Sequence, residues 1–531
     1  MCGIAAVINK SAINTPETFY LLAGILAESE NRGEQASGVA LYSDCIDRSI
    51  QSYRGLGVSS QVFNQEAINK NKFSGSVGIG HNRYATSGVQ SLDNTQPLEV
   101  NFGNRKGFVA INGEVSEHVK KWRLNLISKG ADFGKATSDS STILGEYLYL
   151  YSQIGSPMEA LKELYGEISD FGGTTAVGII KDLDSGKDHM IYLTDGLRPM
   201  HSGSFEGERG EYFVISSEDA PIRKIGGDHV RSVPGGTVGI YDLAKKRLHE
   251  EQMGYSKNPC VFEYIYYRRP ESMITDPDPQ AKGKEIHITE LRRRFGAGLR
   301  KEHPPKQGCI VAGVPNSGLS CARNYDENHS PQEIIVKNKT SGPKRIFISS
   351  QSPEERVEKA KRSFSIVEDV NGKCIILVDD SIVRYTNLAV IVQALREAGA
   401  REVYLAIGSP PIVRSCHSGI DTHMKDLIAS QFEFYPEDIA EDHSILEERL
   451  KNYKHPILGE VKVDGVFYLT REELERISGK CCTGCLGGPY EYHYEGMEEH
   501  GAILDPVERP PILQKSASSS SCPAQGEASR R

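Results

Sequence analysis

Ile375-Ile376-Leu377-Val378-Asp379-Asp380-Ser381-Ile382-Val383-Arg384 is the stretch on which the reading of this chain turns. Its apolar run fits a strand buried on both faces, as in a parallel sheet. Two adjacent carboxylates fall at the strand's C-terminal end, where open α/β sheets bind their ligands. Adjacent carboxylates suit ribose hydroxyls and a phosphate-bound Mg²⁺. The surroundings agree. Gly308-Cys309-Ile310-Val311-Ala312-Gly313-Val314 reads as another strand, Leu388 to Ala398 as a helix, and Val403-Tyr404-Leu405-Ala406-Ile407 as the next strand. Strand–helix–strand alternation predicts a parallel sheet. Residues 285–303 are rich in Arg and Lys at helical spacing, which predicts a solvated helix face.

The first half reads differently. Residues 1–240 alternate β-like runs, such as Gly172-Gly173-Thr174-Thr175-Ala176-Val177-Gly178-Ile179-Ile180, with turn clusters, which fits stacked sheets. Lys245 to Lys257 is polar and predicts a link between domains. At the start stands Met1-Cys2-Gly3-Ile4. The small residue at position two should allow Met1 to be removed. Cys2 would then carry a thiol and a free α-amine on one residue. Such an amine titrates near ~7.7–8.0, so it can serve as a base for the thiol.

Composition narrows the class. The chain has 531 residues, enough for two or three domains with sizeable cores. Hydrophobic residues make up 38% and charged residues 25%, a globular balance. The net charge of −9 argues against general nucleic-acid binding. No apolar run reaches the ~18 residues of a membrane span, and the start lacks a signal peptide's basic and apolar regions. The expected location is cytoplasmic. Eleven cysteines are then expected as reduced thiols, catalytic groups or metal ligands. The last ~20 residues are rich in Ser, Pro and Gln and are expected to form a disordered tail.

Further segments of the first half carry a family resemblance. They are Arg32-Gly33-Glu34-Gln35-Ala36-Ser37-Gly38, Gly80-His81-Asn82-Arg83-Tyr84-Ala85-Thr86-Ser87-Gly88, Asn94-Thr95-Gln96-Pro97-Leu98, Val109-Ala110-Ile111-Asn112-Gly113-Glu114 and Thr137-Ser138-Asp139-Ser140. In this order they resemble the class II glutamine amidotransferases, whose glutaminase domain is an N-terminal-nucleophile hydrolase. The resemblance implies that Cys2 attacks the glutamine amide and forms a thioester. It implies that Asn112 and the Gly113 N–H form an oxyanion hole, that Arg83 holds the substrate carboxylate and that Asp139 receives its ammonium. The departures, at Glu34-Gln35, at Ile111 and at Ser141, remove none of these groups.

The aspartate strand resembles the PRPP-binding motif of type I phosphoribosyltransferases. Together the two halves resemble the amidophosphoribosyltransferase family over roughly residues 2–490. This implies an α/β and α+β multidomain fold, with an N-terminal-nucleophile hydrolase sandwich followed by a parallel-sheet phosphoribosyltransferase domain. The implied bounds are 1–245 for the glutaminase, 258–470 for the transferase, 471–508 for a C-terminal segment and 509–531 for the tail. It implies synthesis of 5-phosphoribosylamine from PRPP and glutamine, a homo-oligomer and inhibition by purine nucleotides. PRPP with Mg²⁺ would meet Asp379, Asp380, Ser381, Thr386, Ser317 and Arg345, the last on a loop that closes over pyrophosphate. Three departures fall in this site. Arg384-Tyr385-Thr386-Asn387 replaces the family's Arg-Gly-Thr-Thr, and Tyr385 should obstruct close backbone approach to the 5-phosphate. Pro315-Asn316-Ser317-Gly318 replaces Pro-Asp-Ser-Gly, and Lys361-Arg362-Ser363 lacks one basic group of an Arg-x-Lys pair. These leave open a paralogue that regulates, or that acts on another phosphorylated substrate.

The cysteines add a metal reading. Cys482 and Cys485 form a C-x-x-C, which by itself fits zinc as well as iron–sulfur. By the resemblance, Cys260, Cys416, Cys482 and Cys485 occupy the ligand positions of a 4Fe–4S cluster. Cys481 has no role assigned. Cys45, Cys309, Cys321 and Cys374 are expected as buried thiols.

Overall fold

The structure is a computed structural model that describes residues 1–43, 49–84, 91–115, 118–169, 172–326, 330–338, 353–420, 422, 427–429 and 443–492. Arg345, Cys45 and the expected tail lie outside the described residues.

Alternation along the first strand, Gly3–Asn9, sets the layers of the N-terminal half. Ile4, Ala6 and Ile8 enter one apolar cluster, while Ala5 and Val7 enter another. Side chains of a strand point to opposite faces, so both faces of this strand are covered. It sits fourth in a seven-stranded antiparallel sheet, ordered Asp228–Ser232, His201–Gly207, Gly210–Ser216, Gly3–Asn9, Val77–Arg83, Ala36–Tyr42, Ile50–Leu56. A second seven-stranded sheet runs Arg247–Gln252, Thr237–Asp242, His189–Thr194, Gly172–Asp182, Arg105–Val115, Leu98–Phe102, Ala131–Asp132. The sheets stack, with Ile4 and Ile79 meeting Phe108, Val177 and Ile179. Helix Pro16–Glu28 covers the first sheet, and helices Asp139–Ile154 and Pro157–Ile168 cover the second. Thr15 and Ser156 cap the first and third of these helices, each followed by Pro at the first helical position.

The polar stretch read as a link is partly a strand. Residues 247–252 pair with Thr237–Asp242 at the sheet edge. Its exposed charged residues are what an edge strand tolerates, and they hide it from a reading that seeks apolar alternation.

The second half holds a four-stranded parallel sheet, ordered Ile310–Gly313, Cys374–Asp379, Glu402–Ile407, Gly465–Tyr468. Val311, Ile376 and Val378 face one core with Phe295 and Leu299, and Ala312, Ile375 and Leu377 face the other with Leu388, Ile391 and Leu395. The expected parallel sheet is therefore present and covered on both faces. Helix Ile288–Glu302 is more than a solvated face. Leu291, Phe295, Leu299 and also Arg292 are buried. Cys309 and Cys374 are paired as a disulfide, Cα atoms 4.5 Å apart, and not two separate thiols. Each precedes a residue of the Ile310–Ile375 pair, so strand register places them side by side.

One buried ion cluster fastens the halves together. Arg32 Nη1 donates to Glu218 Oε1 at 3.0 Å and to Glu263 Oε2 at 3.0 Å, and Nη2 donates to Glu263 Oε1 at 2.7 Å. All three side chains are shielded from solvent. Glu218 also accepts from the Arg269 N–H and the Ser272 hydroxyl. Replacing Arg32 by Met leaves two carboxylates buried without a cation. The expected loss is about 3–5 kcal/mol, read as a lower urea midpoint of the full chain.

Candidate active sites

The first site forms where strand ends converge. Cys2 leads into Gly3–Asn9, Arg83 ends Val77–Arg83, and Asn112 lies on Arg105–Val115 in the facing sheet. The Cys2 N–H donates to Asn112 Oδ1 at 3.0 Å. Asn112 Nδ2 is buried and has no hydrogen-bond partner. A buried donor left unpaired costs about 1–3 kcal/mol, so this atom is poised for an incoming oxygen. Gly113 has φ +143°, and a Cβ there would stand 1.8 Å from Gly173 O. Only glycine fits this backbone.

Arg83 is buried, with Nη1 unpartnered, and faces both Cys2 and Asp139. Asp139 starts helix Asp139–Ile154 and accepts from Val115 N at 3.1 Å and Ser140 N at 2.8 Å. Burial pushes its carboxyl above the ordinary range. The structure thus brings Cys2, Arg83, Asn112, Gly113 and Asp139 together.

Two residues without an assigned role complete this cluster. Ile4 pairs with His81, so Cys2, His81 and Arg83 project to one side of their sheet. The period-two spacing of His81 and Arg83 was the available signal. Burial pushes the Cys2 thiol up, but the His81 imidazole and the Tyr84 N–H pull harder and bring it down to about 6. Gln96 accepts from Ile111 N at 2.7 Å and donates to Ser140 Oγ at 3.0 Å, tying together the neighbours of Asn112 and Asp139.

The second site lies at the C-terminal edge of the parallel sheet. Ser317 Oγ donates to Asp379 Oδ1 at 3.1 Å, and Ser381 Oγ donates to Asp380 Oδ1 at 3.2 Å. Asp380 Oδ2 is buried without a partner. Burial and the neighbouring Asp380 charge push Asp379 well above the carboxylate range. Burial pushes Asp380 up to about 6, with Arg292 opposing it. Two crowded carboxylates with a spare oxygen fit hydroxyl groups and a hard cation. Arg292 was missed because its helix reads as surface. It donates to Tyr264 O and Arg268 O, both at 2.9 Å, and lines a cavity with Ser317, Cys321 and Asp380.

Thr386 begins helix Thr386–Glu397, directly after Tyr385. Tyr385 keeps the left-handed backbone that a glycine would take, with φ +63°. Its ring is buried in the core, centroid 5.6 Å from that of Tyr453. The expected obstruction is therefore not what the structure has, because the side chain turns inward. Between the two sites runs a row of rings: Tyr84 meets Tyr267 edge-on at 6.3 Å, and Tyr267 meets Tyr266 at 5.2 Å. Tyr266 in turn faces Asp380 and Asp379.

The four paired-context cysteines also converge. Cys260 and Cys482 form a parallel bridge, and Cys485 O accepts from Val413 N and Arg414 N, beside Cys416. They share one apolar cluster. Burial raises the Cys260 and Cys485 thiols and pushes Cys482 up to about 12. Among the described residues, however, no three His, Cys, Asp or Glu side chains form a ready metal-ligand group. The donor set itself, three buried sulfurs and the half-buried sulfur of Cys416, suits a soft metal centre. Cys481 lies in the same apolar cluster and donates to Ser478 O at 3.6 Å.

Comparison with known proteins decides the family. No family model matches the chain. The amidophosphoribosyltransferase of Archaeoglobus fulgidus is 30% identical over 510 residues, covering 94% of this chain and 99% of that protein. That of Pyrococcus horikoshii is 34% identical over 436 residues, covering 81% and 87%. The chain belongs to the amidophosphoribosyltransferase family. A solved structure of glutamine phosphoribosylpyrophosphate amidotransferase from Bacillus subtilis, complexed with ADP and GMP, superposes with a TM-score of 0.71 at 27% identity, covering 93% of this chain and 98% of that one. The amidophosphoribosyltransferase fold thus spans both halves. Among the described residues, no helix is long and apolar enough to cross a membrane.

The low Cys2 titration gives a direct measurement. Alkylation of Cys2 in the chain that carries Met1 should rise with pH through about 6, not near the ordinary 9. The His81→Gln variant should move that rise to higher pH, with Cys2→Ala as the blank. An unshifted profile would show that His81 does not set the thiol.

Proposed function

We propose that the chain is a glutamine-dependent amidotransferase that makes 5-phosphoribosylamine from PRPP and glutamine, the first committed step of de novo purine synthesis. The observation that carries this reading is the pairing, in one chain, of the Cys2 cluster with a buried aspartate pair, the tyrosine row between them. The glutaminase occupies the sandwich half, the transferase the parallel-sheet half, and the enzyme works in the cytoplasm as a homo-oligomer.

The first half-reaction starts at Cys2. Removal of Met1 turns the Cys2 N–H that bonds Asn112 into an amine held by the same oxygen. That amine takes the thiol proton, and the sulfur attacks the glutamine amide carbon. Asn112 Nδ2 and the Gly113 N–H receive the oxyanion, each such donor supplying about 2.7–4 kcal/mol. Arg83 binds the substrate carboxylate through its free nitrogen, and Asp139 binds the ammonium. Ammonia leaves with the transferred proton, and water then cleaves the thioester to glutamate.

In the second half-reaction ammonia passes along Tyr84, Tyr267 and Tyr266 and attacks the ribose C1, expelling pyrophosphate. Asp379 and Asp380 hold the ribose hydroxyls, with Ser317, Ser381, Thr386 and Arg345 around the phosphates. Asp379 and Asp380 would also hold Mg²⁺, which would supply charge neutralisation on the pyrophosphate. The inward Tyr385 ring leaves the backbone before helix Thr386–Glu397 open to the 5-phosphate. Cys260, Cys416, Cys482 and Cys485 would hold a 4Fe–4S cluster that ties the C-terminal segment to both halves. Purine nucleotides would act as inhibitors, in keeping with the ADP and GMP of the Bacillus subtilis complex.

The test is pyrophosphate release from PRPP, measured with glutamine and separately with ammonia. Cys2→Ala should lose the glutamine reaction and keep the ammonia reaction. Undiminished glutamine hydrolysis by Cys2→Ala would remove the assigned nucleophile. Asp379→Asn with Asp380→Asn should lose both reactions while keeping basal glutamine hydrolysis. A wild-type chain that neither binds PRPP by calorimetry nor releases pyrophosphate would instead be a regulatory paralogue.

A further inference from the structure

Arg198 is the odd residue of the interior. It follows strand His189–Thr194 and is 1% exposed. Among the described residues it has no carboxylate in an ion pair. Nη2 donates to Ser418 O and lies 4.0 Å from Cys416 Sγ. Nε and Nη1 are buried with no hydrogen-bond partner. Glu263, which faces it, is already bonded to Arg32. A guanidinium cannot shed its charge to escape burial. Leaving such a cation unpaired is strongly destabilising. Glu263 serves Arg32, so two buried donors of Arg198 keep no acceptor.

The groups that surround Arg198 are sulfurs. Cys416 Sγ lies 4.0 Å from Nη2, and Cys260 N donates to Leu197 O at 3.0 Å, next door in sequence. Its backbone is fixed as well. Arg198 O accepts from Thr175 Oγ1 at 3.1 Å and Thr194 Oγ1 at 3.3 Å. Thr175 is the register partner of Asn112. Arg198 thus stands on the strand pair that carries the glutaminase site and reaches into the cysteine pocket of the other half.

We infer that Arg198 is the fixed counter-cation of the cysteine centre, donating from Nη2 and Nη1 to sulfur and neutralising charge that the four thiolates bring. The inference rests on the 4Fe–4S reading given above. A cluster held by four thiolates keeps a net negative charge, and hydrogen bonds to its sulfurs raise its reduction potential. Arg198 is a positioning residue for that centre, not a ligand.

The experiment uses the full chain purified without oxygen. Arg198→Gln should retain the sandwich fold by circular dichroism, lower the cluster's reduction potential and speed iron release to a chelator by about 10–100-fold. Arg198→Lys keeps the charge and should lie between Arg198→Gln and wild type in both readouts. Wild type grown on ¹⁵N-arginine should show nitrogen coupling in pulsed EPR of the reduced cluster, a readout that needs no variant. Potential and iron release unchanged in Arg198→Gln, or no coupling in wild type, would overturn the inference while leaving the cluster standing. Wild type that holds no iron would overturn the cluster reading, and the assignment falls with it.

Discussion

The Arg32 cluster is the interaction on which the rest depends. Its guanidinium also donates from Nε to the Cys2 carbonyl at 3.0 Å. One side chain therefore touches the backbone of the proposed nucleophile, the sandwich through Glu218 and the second half through Glu263. Glu263 opens the helical turn Glu263–Tyr267, whose tyrosines lie between the two sites. This cluster ties the nucleophile's strand directly to the turn that leads toward the second site. The desolvation of three charges is repaid only because the geometry leaves no hydrogen-bonding arm of the arginine wasted.

The sequence was most legible where function is local. Cys2 stands beside the start, Asn112 and Gly113 are adjacent, and Asp379 and Asp380 end an unmistakable strand. The parallel sheet was legible for the same reason, since buried strands read as apolar runs. It was least legible where partners are distant. Arg32 meets Glu218 and Glu263 across 186 and 231 residues. Gln96, Arg292 and Arg198 act through contacts that no spacing rule records. Arg247–Gln252 failed as a strand reading because a polar edge has no buried face to reveal it.

Tyr385 shows how composition can mislead at a single position. A tyrosine in place of glycine suggests a blocked phosphate loop. The backbone carries a left-handed penalty of about 1–2 kcal/mol, and the ring packs against Tyr453. The substitution changes what lies beneath the loop, not what faces out of it. Cys309 and Cys374 make the converse point. Nothing in their spacing pairs them, yet parallel register alone sets them together.

Met1 is 1% exposed and packs in the same apolar cluster as Leu197, Phe262 and Ile265, in contact with both halves of the molecule. Its amine is so deeply enclosed that burial brings it down to about 5. A processing peptidase cannot reach it once the halves have closed. Under the proposal that Cys2 acts through its own amine, Met1 has to leave before the halves close.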